Sequence, residues 1–209
     1  MKFGTISYKF WEVTVTMEHI STIARILGSF FYYPLTHETN RQVCQMIADS
    51  DEQEGSPFAE LLQAVNADGA EELAMDFQKL FEGCEVMPAP PWGSVYLDKE
   101  QVIFGTTTLD YRRFLADKDM SLDTGMREPE DQFGLMLMAM SKLAEAEDSE
   151  AIKLLLSDHL LPWAPRYLEL MQANASTQSY RLLGGMAEQW LAYIAEALAI
   201  SAVEKKVYF

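Results

Sequence analysis

Apolar side chains recur every three to four positions through most of this sequence, which is the spacing of one buried face on an α-helix. The first such stretch begins near Met17 and ends before Pro34, and the last one extends over about residues 178–199. The apolar positions of the first stretch are Ile20, Ile23, Ala24, Leu27, Phe30 and Phe31. The pattern predicts an all-α fold, a single-domain multi-helix bundle with roughly nine or more helices.

Local signals mark two helix boundaries in the middle of the chain. Asp68 followed by Glu71 has the form of a capping box, and Gly83 is a typical helix terminator, so a helix is expected between them. Pro129 lies within an acidic cluster and predicts another helix over about residues 129–146. Acidic side chains in its first turn would stabilise the positive end of the helix dipole.

The first sixteen residues do not share the helical periodicity. Residues 13–16 hint at a short strand, and Met17 is a natural start for a helical protein. We therefore expect residues 1–16 to form a peripheral N-terminal extension and residues 17–209 to form one all-helical domain.

One apolar loop, residues 88–105, interrupts the helical pattern. Three prolines within four residues exclude a helix interior at its start, because proline lacks the N–H and restricts the preceding residue. The stretch that follows is compatible with a hairpin or with an irregular connection that contains a helical turn. Since Trp92, Tyr96 and Phe104 make the loop strongly apolar, it must either fill a core or line a groove.

A second proline-containing break, residues 159–166, holds Trp163. Concave sites tend to occur where helix ends meet, so Trp92 and Trp163 each belong either to the core or to a ligand platform. Trp190 has helical spacing and is predicted to be a core residue. His159 is predicted to be a hydrogen-bonded histidine at a helix end rather than a catalyst.

Charge and composition exclude several classes of function. The net charge of −16 disfavours a nucleic-acid partner, because phosphate binding requires a clustered basic surface. No apolar run reaches eighteen residues and no export signal is recognisable, so we expect no membrane span and a cytoplasmic location. Cys44 and Cys84 lie forty residues apart and define neither a zinc site nor a disulfide framework.

Motifs that would indicate catalysis are missing from the sequence. It contains no phosphate-binding GxxxxGK[ST], no GxGxxG after a strand, no nucleophile elbow and no HExxH. The clustered carboxylates of Glu128, Glu130 and Asp131 leave a general acid–base pair open, but an acidic first turn is the simpler interpretation. We therefore predict no catalytic residue and no metal site.

Five motifs in order along the chain resemble the TorD/DmsD/NarJ family of molybdoenzyme-maturation chaperones, most closely its DmsD-like branch. The resemblance covers essentially residues 17–200, and the ordered set is more specific than any single motif. The motifs are LFxG at 80–83, PPWGSVYLD at 90–98, FG at 104–105, EPEDQFG at 128–134 and HLLPWAPRYL at 159–168.

The resemblance implies a cytoplasmic, all-helical chaperone that binds the twin-arginine signal peptide, or leader, of a molybdopterin-containing oxidoreductase subunit. Such chaperones hold the apo-enzyme for cofactor insertion and prevent premature export through the Tat translocon, whose components are further possible partners. They are not established enzymes. An association with guanine nucleotide or with the molybdenum cofactor is known for some members, and no cofactor is predicted here. The oligomeric state is left open between a monomer and a domain-swapped dimer.

Residues that match the family's leader-binding surface come from six parts of this sequence. They are Arg25, Leu80, Phe81, Pro91, Trp92, Gly93, Ser94, Tyr96, Gly105, Glu128, Asp131, Gln132, His159, Pro162 and Trp163. The family's acidic motif commonly ends in Asp-His, whereas Gln132 follows Asp131 here. The amide keeps hydrogen-bonding capacity but removes the titratable imidazole.

Two hypotheses about function follow. In the first, Glu128 and Asp131 bind the leader's guanidinium pair while Phe81, Trp92, Tyr96 and Trp163 bury its apolar segment. In the alternative, the same cleft binds or hydrolyses a guanine nucleotide. The missing phosphate-binding loop and the negative charge weigh against this alternative.

Overall fold

A computed structural model describes most of the chain: residues 15–49, 56, 58–83, 86–121 and 128–209. Within these ranges the chain forms ten α-helices and no β-strand, so the all-α prediction and the predicted number of helices are confirmed. The helices are α1 Met17–Tyr32, α2 Glu38–Ala48, α3 Ala59–Ala67, α4 Ala70–Phe77, α5 Gly93–Leu97, α6 Thr106–Asp117, α7 Phe133–Glu145, α8 Ser149–Leu154, α9 Ala164–Asn174 and α10 Gln178–Ala197. Two π-helical turns, Gln78–Glu82 and Leu155–Leu160, continue α4 and α8.

Helices α1 and α7 pack closely along their length and form the centre of the bundle. A Cβ atom added at Gly134 would lie only 2.7 Å from the backbone oxygen of Gly28, so both glycines permit this close approach. Almost every residue of α7 is buried, as expected for a helix surrounded by other elements. Among the described elements, no other pair packs as extensively as α1 and α7.

Aromatic rings fill the core beside the start of α7. The Phe31 and Phe133 ring centroids are 4.6 Å apart, and Tyr167 lies 5.1 Å from Phe133. Trp163 and Tyr96 continue the cluster with stacked rings 5.4 Å apart. Trp190 is also buried in the core, as its helical spacing predicts.

The predicted capping box at Asp68 is wrong. The N-cap of α4 is Gly69, and it makes no side-chain capping bond. The Asp68 carboxylate instead accepts hydrogen bonds from the backbone N–H and the hydroxyl of Ser179, at 2.8 and 2.6 Å. A tertiary contact over more than a hundred residues therefore replaces the local capping bond.

The predicted start of α7 is also wrong. The helix begins at Phe133 with Gln132 as N-cap, so Pro129 and its acidic neighbours precede the helix rather than form its first turn. Gln132 has extended backbone angles because the chain pairs with Trp92 at this point in an isolated antiparallel bridge. This pairing delays the helix by about one turn.

The loop over residues 88–105 contains a helical turn, α5, so the alternative of a hairpin is wrong. None of the helices in the described ranges combines the length and apolar character that crossing a membrane requires. Most of the proposed N-terminal extension, residues 1–14, lies outside the described residues, as does Cys84. The division of the chain at residue 17 stays a prediction, although α1 does begin there.

Candidate functional site

Backbone hydrogen bonds join the PPWGSVYLD and EPEDQFG motifs. The Gly93 N–H donates to the Asp131 backbone oxygen at 3.1 Å, and the Phe133 N–H donates to the Pro91 oxygen at 2.8 Å. Two motifs separated by residues 99–127 thus form one structural unit. We call it the motif cluster, defined as residues 91–98 and 128–134.

Asp131 is the buried centre of the motif cluster. Its carboxylate accepts hydrogen bonds from the Ser94 N–H at 2.6 Å and from the Thr108 hydroxyl at 3.0 Å. Burial raises the pKa of this carboxyl, while the hydrogen bonds from Ser94 and Thr108 oppose the shift. Because both oxygens already hold α5 and α6 in place, Asp131 has a structural role in this conformation.

Gln132 connects the motif cluster to the central helix pair. Its Oε1 accepts the Leu135 N–H at 2.8 Å and so caps α7, while its Nε2 donates to the Phe31 backbone oxygen at 3.0 Å. A neutral histidine also offers one acceptor and one donor. Glutamine therefore retains the connecting role and removes only the ability to titrate.

Glu128 and Trp92 form a half-buried pair at the edge of the motif cluster. The Trp92 indole Nε1 donates to the Glu128 carboxylate at 2.7 Å. Burial raises the pKa of Glu128, and Asp131 adds to the increase, whereas the hydrogen bond from Trp92 lowers it. The adjacent Glu130 is occupied by two hydrogen bonds from Arg112, at 2.7 and 2.8 Å.

Trp163 and Tyr96 are core residues, with 0% of each residue exposed to solvent. The Trp163 Nε1 donates to the His159 backbone oxygen at 2.8 Å. A Cβ at Gly93 would lie 2.9 Å from the same Nε1, so a glycine is needed for α5 to pack here. Of the two alternatives left open for Trp163, the core is the one observed.

The predicted site residues differ widely in exposure. Leu80 and Phe81 belong to the core, and Phe81 stacks on Phe77 at 4.7 Å. His159 packs against Tyr111 and Phe114, and its pKa is lowered by burial and by the Lys205 ammonium. The half-buried members of the predicted set are Trp92, Gly105, Glu128, His159 and Pro162, and the buried members are Leu80, Phe81, Pro91, Gly93, Ser94, Tyr96, Asp131, Gln132 and Trp163.

Arg25 is exposed and is not brought into the motif cluster. It hydrogen-bonds to Ser21 and pairs with Glu145 at the C-terminal end of α7, whereas Gln132 caps the other end. Thirteen helical residues, about 20 Å, separate these ends.

Arg25 lines a cleft of about 670 Å³ between α1, α7 and the chain after α6. Its other lining residues are Tyr32, Tyr33, Asp119, Met120, Ser121, Leu135, Met138, Ala139, Ser141 and Lys142.

An exposed apolar surface follows α5 after residues 98–101. It consists of Val102, Ile103, Phe104 and Leu109, each between 36% and 50% exposed, and we call it the loop patch. Sequence reasoning recognised Phe104 as part of a motif but did not assign these residues to the site. The consecutive apolar side chains before Gly105 were the signal that could have identified them.

Comparison with known proteins agrees with the motifs. Residues 48–169 match the family model described as nitrate reductase delta subunit. The chain is 35% identical over 196 residues to the Tat proofreading chaperone DmsD of Salmonella typhi, which covers 91% of this chain and 96% of the relative. It is 33% identical to the probable Tat proofreading chaperone DmsD of Haemophilus influenzae, over 80% of this chain and 86% of the relative.

A relative named TorD also matches part of the chain. The chaperone protein TorD of Psychrobacter sp. is 33% identical over 58% of this chain and 60% of its own length. Both the family model and relatives above 30% identity thus cover most of the sequence. The chain therefore belongs to the nitrate reductase delta subunit family, the TorD and NarJ family that its motifs resemble.

Proposed function

We propose that this protein is a redox-enzyme maturation chaperone that binds the twin-arginine leader of a molybdopterin-containing oxidoreductase subunit. It holds the subunit for cofactor insertion and prevents premature export by the Tat pathway. The observation that carries this proposal is the 35% identity to a Tat proofreading chaperone over 91% of the chain. No observation favours the guanine-nucleotide alternative.

The apolar part of the leader binds at the surfaces that flank α5. Trp92 immediately precedes this helix, and the loop patch begins at Val102 after residues 98–101, so both lie on one short stretch of the chain. Exposed apolar surfaces that adjoin one another are typical of protein interaction sites. An amphipathic or extended apolar segment would cover both.

The arginine pair of the leader binds at Glu128. Asp131 and Glu130 already accept strong hydrogen bonds within the protein. Glu128 is half-buried, and among the described residues its carboxylate accepts a hydrogen bond only from the Trp92 indole. A carboxylate in this position can accept fork-shaped hydrogen bonds from a guanidinium group. Glu128 therefore replaces Asp131 as the main candidate for arginine recognition.

Apolar contacts supply most of the affinity. Burial of each leucine-sized side chain contributes about 1.5–3 kcal/mol, whereas a partly exposed ion pair contributes under about 1 kcal/mol. Roughly micromolar binding, about −8 kcal/mol, then requires only three or four good anchors after association costs. The arginines mainly determine orientation and the choice of partner.

The location of the protein follows from this role. A chaperone that holds a leader before export must act in the cytoplasm, and components of the Tat translocon are candidate further partners. The protein acts as a monomer or a domain-swapped dimer, and it acts by binding rather than by catalysis.

Calorimetric titration with a leader peptide tests the proposal. Trp92→Ala should weaken binding about tenfold or more, and Glu128→Gln, which keeps an acceptor for the indole, should weaken it about threefold. Met46→Ala, at an exposed apolar position on α2, is the matched control and should bind like wild type. Failure of the wild type to bind any leader, or equal losses from Trp92→Ala and Met46→Ala, would contradict the proposal.

A further inference from the structure

After α10 the chain returns across α5 and the second π-helical turn. We call residues 203–209 the C-terminal segment. The Val203 N–H donates to the Ser157 oxygen at 2.9 Å, and the Tyr208 N–H donates to the Tyr96 oxygen at 2.8 Å. The Gln101 side-chain amide donates to the Tyr208 oxygen at 2.7 Å. The segment therefore contacts α5 through Tyr96 and also Gln101, which directly precedes the loop patch in sequence, so it lies beside the proposed leader site.

The C-terminal segment is held mainly through its backbone. The side chains of Val203, Val207 and Tyr208 stay 37–45% exposed. Phe209 is the exception, because it is half-buried and its ring contacts the Tyr96 ring edge-on at 5.4 Å. Backbone pairing with one or two anchored side chains is how added peptide strands are recognised. A binding surface of this kind can accept a different peptide that presents the same backbone groups.

The sequence of the C-terminal segment has the order of charges and apolar groups found in a leader. Lys205 and Lys206 form a cationic pair, and Val207, Tyr208 and Phe209 follow as an apolar run. An export signal likewise begins with a basic region and continues with an apolar one. The Lys205 ammonium donates to the Asp158 backbone oxygen at 2.6 Å, so the surface that holds the C-terminal segment also binds a cation.

We infer that residues around α5 and the second π-helical turn form a seat for an extended basic–apolar stretch of the leader, and that the C-terminal segment is an internal competitor for it. This inference rests on the proposed function. Tyr96 is 0% exposed, and its ring contacts Phe209 as well as Trp163 and Tyr167, so displacement of Phe209 would open one side of the Tyr96 ring. A leader would thus reach a predicted site residue that the present conformation covers.

Competition in the full-length chain tests the inference. Tyr208→Pro combined with Phe209→Ala removes the N–H that binds Tyr96 and the aromatic anchor. Ala202→Pro, which lies just before the C-terminal segment, is the matched control and should bind a leader like wild type, because the Ala202 N–H has no backbone acceptor among the described residues. If the segment is docked for about nine-tenths of the time, the double variant should bind a leader peptide about tenfold more tightly. Unchanged or weaker binding, with the helical content retained, would overturn the inference.

A second arm separates this inference from the proposed function. A synthetic peptide with the sequence of residues 202–209, AVEKKVYF, is titrated against the double variant, with a scrambled peptide as control. We expect the peptide to bind the variant and to compete with the leader. If no form of the protein binds a leader, the proposed function fails while binding of AVEKKVYF still supports the seat. If AVEKKVYF binds no better than its scrambled form, the seat is refuted.

Discussion

Replacing Asp131 with alanine should destabilise the fold more than any other single change in the motif cluster. The Asp131 carboxylate binds the Ser94 N–H at 2.6 Å and the Thr108 hydroxyl at 3.0 Å. Ser94 and Thr108 are both 0% exposed, so water cannot replace the lost acceptor without rearrangement. Alanine would leave two buried polar groups without their partner.

The expected magnitude follows from those two groups. A buried polar group left unsatisfied lowers the free energy of unfolding by about 1–3 kcal/mol, so the two together lower it by about 2–6 kcal/mol. For a chain of this size each kcal/mol lowers Tm by about 2–4 °C. The variant should therefore melt roughly 4–24 °C below wild type.

Asp131→Asn is the matched control for this variant. Its amide oxygen can accept from the Ser94 N–H, and its amide nitrogen can donate to the Thr108 hydroxyl oxygen after that hydroxyl rotates. Burial already raises the pKa of the Asp131 carboxyl, so loss of its charge costs little. We expect Asp131→Asn to change the free energy of unfolding by under about 1 kcal/mol.

Urea denaturation followed by circular dichroism measures both variants, and thermal melts give Tm. A midpoint for Asp131→Ala that equals the wild-type midpoint would refute the structural role of this carboxylate. Equal large losses for alanine and asparagine would show that the negative charge, rather than the pair of hydrogen bonds, stabilises the motif cluster.

Three further predictions concern the central helices and the histidine positions. Gly134→Ala should lower the free energy of unfolding by about 1–3 kcal/mol, as measured by thermal denaturation, because the added methyl group would clash with the Gly28 backbone oxygen. Gly185→Ala in α10 is the control and should not destabilise the fold. The lowered pKa of His159 means that the folded state disfavours the charged imidazolium. Stability should therefore fall as the pH drops below 6.5, the pKa of the histidine in the unfolded chain, and His159→Gln should remove this contribution to the pH dependence. Gln132→His should match wild type at pH 8 and lose stability on acidification, as measured by urea midpoints, because the imidazolium cannot accept the hydrogen bond that caps α7.

Helical periodicity in the sequence was sufficient to predict the architecture. The apolar stripe from Ile20 to Phe31 is buried in α1, and Trp190 is buried in α10, because a face repeating every 3.6 residues can only be covered by packing. Local capping rules failed where a distant partner was available. Asp68 binds Ser179 and Asp131 binds Ser94, and neither pairing leaves a signal in the neighbouring sequence.

The sequence predicted which motifs come together better than it predicted which of their residues are exposed. The motifs around Trp92 and Gln132 do come together, as the isolated bridge between them shows. Burial of Tyr96 and Trp163 could not be predicted, because aromatic residues in a proline-rich break suit both a core and a groove. Exposure depends on neighbours from other elements, including Phe209, which lies more than a hundred residues after Tyr96.

Capture of a bound client protein from a native cell extract tests the proposed function most directly. The tagged protein is purified gently, and bound proteins are identified by mass spectrometry, with a strain lacking the client's leader as control. We predict recovery of a molybdopterin-containing oxidoreductase subunit with its twin-arginine leader intact, and its loss when the leader is deleted. Recovery of the same subunit in equal amount without its leader would contradict recognition of the leader.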